Sequence, residues 1–162
     1  MRVSGLTMTR IVASLAVCTS PNVAAAATAA TAATAATAAQ AKAFSERAAS
    51  HIEQVGQEKA FSDFTRRDGG FIDGELYVFC YDRKGVNKAH GGNPAFVGRN
   101  LLHIKTSDGA EPNAQIVKTG FEHGRGWVDV RWPNPRTKRI GNKSSYVIRT
   151  GDVVCGVGFY KE

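Results

Sequence analysis

A chain of 162 residues, 43% of them hydrophobic, has room for one domain with a hydrophobic core and excludes an assembly of several domains. Its formal net charge is +7, from 21 Lys and Arg residues against 14 Asp and Glu residues. Because the N-terminus has the pattern of an export signal, this charge favours anionic small ligands, envelope surfaces or solubility over nucleic-acid binding.

The first 27 residues have the three-part pattern of a secretory signal peptide. Residues 1–10 carry two arginines and no acidic residue, residues 11–18 form an apolar run, and residues 20–27 contain small residues with Ala-x-Ala cleavage sites. The apolar run is far shorter than the roughly 20 residues that span a bilayer. We therefore predict a periplasmic or secreted protein. Cleavage of the signal would remove the two arginines and leave a net charge of +5. A membrane anchor and lipidation at Cys18 are the alternatives.

A spacer and two helices are predicted to follow the signal. Residues 28–39 repeat a Thr-Ala-Ala triplet that offers no large side chain for burial, so they predict a flexible or weakly helical spacer. The globular domain is predicted to span residues 40–162. Apolar residues recur at helical spacing over residues 40–55, and after Gly56 a second helix is predicted over residues 58–64.

Five strands are predicted in the rest of the chain. Residues 75–82 are apolar on both faces, which is typical of a central strand, and residues 87–90 complete a hairpin with it. A loop with a helical turn around Leu101 and a helix over residues 112–121 follow. Residues 126–132, 143–149 and 152–160 predict three further antiparallel strands. This order indicates an α+β domain with a five-stranded antiparallel sheet and helices gathered on its flank.

The segment GWVDVRWPNP, residues 126–135, predicts a strand that ends at the rim of a pocket. Val128, Val130 and Trp132 fall on one face of an extended chain. Pro133 and Pro135 cannot donate to a sheet ladder, so we expect the chain to leave the strand directly after Trp132.

Two cysteines remain if Cys18 is removed with the signal. Cys80 and Cys155 each lie in the middle of an apolar strand. In the common version of this sheet the first and last strands are neighbours, which places the two cysteines on adjacent strands. An oxidising compartment permits a disulfide, and two buried free thiols are the alternative.

Three segments together resemble the second type of single Cache domain, a family of extracytoplasmic small-ligand sensors. They are YDRKGVNKAHGGNPAFVGRNLL, GWVDVRWPNPRTKRIGNKSSYV and GDVVCGVGFYKE. The resemblance covers roughly residues 44–161. It implies a PAS-like sheet behind a long N-terminal helix, with a pocket that in related sensors takes small organic acids such as acetate, propionate, lactate or pyruvate.

The chain departs from the family pattern in three places. Val130 stands where a tyrosine is expected, which removes one hydrogen-bond donor. Cys80 and Cys155 stand where valines are usual. No second membrane segment, coiled coil, kinase or methyl-accepting module follows Glu162, so the sequence predicts a sensor domain standing alone.

A carboxylate ligand requires a fixed cation, directed donors and an apolar wall. We predict that Lys143 and Tyr146 hold the charge of the ligand and that Trp132 and Phe79 form the wall. For each of them, core packing or solvation is the alternative.

Two further candidates and one basic cluster complete the predicted site. Tyr81 shares a strand face with Phe79 and lines either the pocket or the core, and His90 either contacts the ligand or fixes its glycine-rich loop. The basic cluster is predicted to be either a solvated face or a rim that attracts anions. It comprises Arg131, Arg136, Lys138, Arg139 and Lys143.

No motif predicts catalysis. The four histidines show no metal-ligand spacing, and neither a nucleophile elbow nor a glycine-rich phosphate loop is present. We therefore predict a protein without cofactor or metal that binds a carboxylate of two to four carbons and presents it to a separate membrane receptor. The alternative is a structural or interaction module with a closed pocket, which uses its first helix to form a homodimer or to dock on a sensor.

Overall fold

The structure is a computed structural model that describes residues 36–161. The predicted signal peptide, Cys18 and most of the predicted spacer lie outside these residues. None of the helices in the described part of the chain combines the length and the apolar character needed to cross a membrane.

Two consecutive helices open the described chain. Helix α1 (Ala38–Val55) begins ahead of the predicted domain start at residue 40, because Thr37 and Gln40 cap its N-terminus reciprocally. The Thr37 hydroxyl accepts from the Gln40 N–H at 3.3 Å, and the Gln40 side chain accepts from the Thr37 N–H at 2.8 Å. Helix α2 (Gln57–Thr65) follows after Gly56, whose φ of 80° breaks the helical path.

The remaining chain forms one antiparallel sheet and one further helix. The strands are β1 (Ile72–Asp73), β2 (Leu76–Asp82), β3 (Asn87–His90), β4 (Arg125–Pro133), β5 (Ile140–Thr150) and β6 (Val153–Tyr160), and helix α3 (Pro112–His123) precedes β4. The strand order is β1-β2-β6-β5-β4, with β3 also paired to β2. The predicted α+β class is confirmed.

Three details differ from the prediction. The sheet has six strands, because the two-residue β1, too short to show any alternation, pairs with the start of β2 within the predicted loop. Strand β4 continues through Pro133, which still lies opposite Ile140. The helical turn lies at Pro94–Phe96 and not at Leu101, because the Asn93 side chain accepts from the Ala95 N–H at 3.1 Å.

Helices cover both faces of the sheet, so the expectation that they gather on one flank is wrong. Helices α1 and α2 pack on one face, where Ala48 and Phe64 join the core with Val78 of β2. Helix α3 packs on the other face, where Ile116 joins the second core with Phe79. The physical reason is that β2 is apolar on both sides, and both sides need cover.

Strands β2 and β6 are neighbours in the middle of the sheet, as the architecture predicts. Cys80 lies directly opposite Cys155, and the structure joins them in a disulfide. Both side chains are buried on the α1 face. The bond links residues that are 75 positions apart, so it ties the start of the sheet to its end.

Replacing both cysteines with alanine should lower the free energy of unfolding by about 2–5 kcal/mol, because the bridge restricts the unfolded chain. Urea denaturation of the oxidised protein, the reduced protein and the double variant measures this. Reduction should destabilise the wild type and leave the variant unchanged. Equal stability of all three forms, or alkylation of Cys80 and Cys155 in the unreduced, unfolded protein, would contradict the bridge.

Candidate ligand-binding site

A small cavity lies between the sheet and α3, on the face opposite α1. Its walls come from β2, β3, α3, β4 and β5, and they consist mainly of aromatic and polar side chains. The lining residues are Tyr77, Phe79, Tyr81, His90, Asn113, Ile116, Val130, Trp132, Lys143 and Ser145. The volume is about 10 Å³, close to the smallest space that holds one water molecule.

The structure brings five of the six predicted ligand-binding residues to this cavity. Phe79, Tyr81, His90, Trp132 and Lys143 line it.

Tyr146 is the predicted residue that lies elsewhere. Its ring is 5.1 Å from the Trp127 ring, and Lys42 of α1 approaches it to 5.6 Å. Tyr146 and Lys143 are three positions apart along β5, and this odd spacing makes their side chains point to opposite faces of the sheet. Tyr146 therefore belongs to the α1 side of the domain.

Lys143 provides a buried cation in the cavity. Its side chain is only 3% exposed, and its Nζ atom lies 3.8 Å from the centre of the Tyr77 ring and 5.2 Å from that of Phe79. Within residues 36–161, the ammonium group forms neither a hydrogen bond nor a salt bridge. Burial lowers the pKa of Lys143 to about 7, although the negative charge of Glu75 acts in the opposite direction.

Gly158 allows Lys143 to reach this position. Lys143 lies on β5 and Tyr77 on β2, with β6 between them, so the lysine side chain has to cross a strand to reach the ring. A Cβ atom at position 158 would lie 2.6 Å from Lys143 Cε and 2.3 Å from Ser145 Oγ. Only glycine leaves β6 flat enough at this point for the lysine to lie across it.

Ser145 and Asn113 add polar groups that the sequence analysis did not single out. The Ser145 hydroxyl is fully buried and has no hydrogen-bond partner among the described residues. The Tyr81 hydroxyl donates to Asn113 Oδ1 at 3.1 Å, and Asn113 Nδ2 donates to the Leu101 carbonyl at 2.9 Å. Ser145 follows Lys143 at strand spacing and could have been found by alternation, whereas no local signal points to Asn113.

His90 fixes its glycine-rich loop, which is one of the two predicted roles, and its ring also lines the cavity. Its Nδ1 atom accepts from the Asn93 N–H at 2.9 Å, which fixes the glycine-rich loop. Burial and, to a smaller extent, the nearby charge of Lys143 lower the pKa of His90 to about 3. The imidazole is therefore neutral at physiological pH, with its proton on Nε2, a donor that a ligand could use.

Two aromatic side chains form the outer wall. Trp132 is half-buried, and its ring lies 6.3 Å from that of Phe96, which in turn lies 5.1 Å from the His90 ring. Val130 is also half-buried and lines both the cavity and a more open cleft outside it. Trp132 thus lies between the cavity and the surface.

The fold and the cavity define the class of the protein. An antiparallel sheet with a long N-terminal helix on one face and a small polar cavity on the other is the architecture of a PAS-like sensor domain. The sequence matches the Cache domain family over residues 27–162. The chain belongs to this family, whose members are extracytoplasmic ligand-binding sensor domains.

One curated relative is the sensor histidine kinase MctS of Rhizobium johnstonii. It is 32% identical to this chain over 117 residues, which are 71% of the chain. The aligned part is only 24% of the length of the relative.

Two solved structures share the fold. A methyl-accepting chemotaxis protein of Vibrio parahaemolyticus has a TM-score of 0.64 at 21% identity, over 75% of this chain and 86% of the other. A Cache chemosensory domain, described for its carboxylic acid recognition, has a TM-score of 0.65 at 22% identity, over 76% and 92%. At these identities the likeness concerns the fold.

Replacing Lys143 with methionine should stabilise the ligand-free protein at pH 6 by about 1–4 kcal/mol, because it removes a buried charge that has no partner. In the wild type, the unfolded chain binds more protons than the folded one between the lowered pKa of about 7 and the ordinary lysine pKa of 10.5. Wild-type stability should therefore rise with pH in this window relative to the variant.

Urea denaturation between pH 6 and pH 10 measures this difference. Replacing Lys118, an exposed lysine of α3, with methionine is the matched control. Parallel pH profiles for the wild type and the Lys143→Met variant would contradict the burial of an unpaired ammonium group.

Proposed function

We propose that this chain is an exported sensor domain that binds a carboxylate of two to four carbons at Lys143 without transforming it. The proposal includes the predicted organisation: signal peptide 1–27, spacer 28–39 and ligand-binding domain 40–162. The observation that carries it is a buried ammonium group that no carboxylate of the described chain approaches closely enough for a salt bridge.

The electrostatics of the cavity favour an anionic ligand. A buried charge without a partner destabilises a protein unless something compensates it. The carboxylate of a ligand would supply the opposite charge, and the Lys143 Nζ–H groups would donate to it. The rings of Tyr77 and Phe79 exclude water around the pair, which strengthens the attraction.

Neutral donors near Lys143 would complete the site. The Ser145 hydroxyl lacks a partner, and the neutral His90 ring carries its proton on Nε2. A carboxylate accepts several hydrogen bonds, so it can satisfy both groups as well as the lysine. Short acids suit these donors better than long ones, because the remaining wall, from Phe79, Ile116 and Val130, is apolar and close to them.

Binding without turnover agrees with the same groups. The Ser145 hydroxyl has no base within hydrogen-bonding distance that could activate it, and His90 Nδ1 is occupied by the Asn93 N–H. The solved relatives are named for chemotaxis and for recognition, which are sensory roles. We accordingly propose that the domain presents its bound acid to a membrane receptor.

The small cavity sets a condition on this proposal. A space of about 10 Å³ accommodates no carboxylic acid, so a ligand has to displace part of the wall. Trp132 and its neighbour Phe96 are half-buried, so we expect them to move when a ligand enters. The same volume favours the second candidate function, an interaction module with a closed pocket.

Titration calorimetry with acetate, propionate, lactate, pyruvate and succinate should detect binding of at least one acid to the wild type. The Lys143→Met variant should lose at least tenfold in affinity, because it keeps the volume and removes the charge. Tyr146→Phe is the matched control and should bind like the wild type, since Tyr146 lies on the opposite face.

Absence of binding across the panel by a folded wild-type protein would favour the closed-pocket function. Equal affinity of the wild type and Lys143→Met would show that the ligand does not use Lys143. A loss in Tyr146→Phe comparable to that in Lys143→Met would place the ligand elsewhere.

The affinity for a carboxylate should fall by up to tenfold per pH unit above pH 7. The pKa of Lys143 is about 7 in the free protein, and a bound carboxylate raises it, so binding takes up a proton at higher pH. Below pH 7 the lysine is already charged and the affinity should level off. Calorimetry between pH 6 and pH 9 in buffers of different ionisation enthalpy measures both the affinity and the proton uptake. A constant affinity with no proton uptake would contradict the role of Lys143.

A further inference from the structure

A second depression with a strongly positive lining lies on the other side of Tyr77. We call it the basic groove, and three cations, Arg67, Arg136 and Lys138, line it together with the backbone of Gly91 and Gly92. Its volume is about 320 Å³, within the range of small-molecule sites. Tyr77 contributes to the walls of both the groove and the cavity.

The positive charges of the groove are largely uncompensated. No Asp or Glu is among its lining residues. Arg67 and Lys138 are exposed, and neither side chain forms a hydrogen bond or a salt bridge within residues 36–161. Of the three cations, Arg136 is the one with a carboxylate nearby, because its Nη2 atom lies 4.0 Å from Glu75 Oε2. Two full positive charges therefore face a concave surface, where the field is concentrated.

The loop that carries Arg136 and Lys138 is rigidly built. Asn134 is buried, its side chain accepts from the Arg136 N–H at 2.8 Å, and its carbonyl accepts from the Lys138 N–H at 2.8 Å. Lys138 has a φ of 60°, and among the described residues it is the non-glycine residue with a positive φ. Such a conformation costs free energy and persists only where the surroundings enforce it. These hydrogen bonds thus fix the backbone from which the two cations extend.

Between the cations, the groove is lined by Tyr77 and by the glycine loop at Gly91 and Gly92. A Cβ atom at Gly92 would lie 2.8 Å from the Tyr77 ring, so a side chain at this position would collide with the ring. Glycine at this position therefore lets the loop pack directly against the Tyr77 ring, which helps to fix the shape of the groove. The outer cleft beside Val130 differs, because its exposed cations Arg131 and Lys161 are paired with Asp108 and Asp129, and its third cation is the buried Lys143.

We propose that the basic groove is a second anion-binding site, separate from the cavity, that takes a small oxyanion with two or more negative charges. Phosphate and compact di- or tricarboxylates have this chemistry. Arg67 and Lys138 would each pair with a negatively charged oxygen, and an arginine suits a planar or tetrahedral oxyanion because of its forked donors. A monovalent acid would leave one of the two charges unpaired. The site is independent of ligand binding at Lys143.

Titration calorimetry with inorganic phosphate at pH 8 and with citrate, at constant ionic strength maintained with NaCl, tests the site. We expect the wild type to bind at least one of the two. The double variant Arg67→Gln/Lys138→Gln should bind at least tenfold more weakly. The double variant Arg99→Gln/Lys118→Gln removes the same charge from exposed side chains elsewhere, and its affinity should stay within twofold of the wild type.

A further variant separates the two sites. Lys143→Met should retain phosphate or citrate binding and lose only the binding of the short acids. The proposal is overturned if neither anion binds the wild type, if the two double variants lose affinity equally, or if Lys143→Met abolishes binding of phosphate and citrate. Short-acid binding would survive any of these outcomes, so a failure of this site is distinguishable from a failure of the function at Lys143.

Discussion

Successive side chains of an extended strand point to opposite faces of a sheet, and in β2 and β6 both sets are buried. This constraint organises the whole domain. On one face the bridge between Cys80 and Cys155 lies under α1, within a core of alanine, branched aliphatic and phenylalanine side chains. On the other face the aromatic residues of β2 and the glycines of β6 leave room for a cavity under α3. The disulfide-linked core and the cavity are thus on the two sides of the same pair of strands.

At Lys143, stability and the proposed function have opposite requirements. An ammonium group among tyrosine and phenylalanine rings gains some cation–π attraction, yet it loses the solvation that water provides. The disulfide-linked sheet and the packing of α1 supply stability that offsets this cost. A site that costs stability when empty gains the most from a ligand of opposite charge, and this coupling suits a sensor.

The predicted site shows which inferences a single sequence supports. The cavity wall from Phe79 and Tyr81 could be predicted because alternation along one strand fixes which residues share a face. The same alternation places Tyr146 and Lys143 on opposite faces, because they are three positions apart. The prediction that both residues lie at one site was therefore wrong. Asn113 could not be predicted because it enters from a distant helix. Gly158 has no side chain, and its role becomes apparent only in the structure, where the Lys143 side chain lies across it.

The sequence by itself determined most of the secondary structure, the α+β class, the Cache family and half of the residues that line the cavity, because these depend on local periodicity and on motifs. The tertiary structure decided which face each element covers, and therefore that Lys143 is buried while Arg136 and Lys138 of the same basic cluster stay at the surface. It also decided the volume of the cavity. Burial, distance and charge pairing arise between residues far apart in the chain, and no local pattern encodes them.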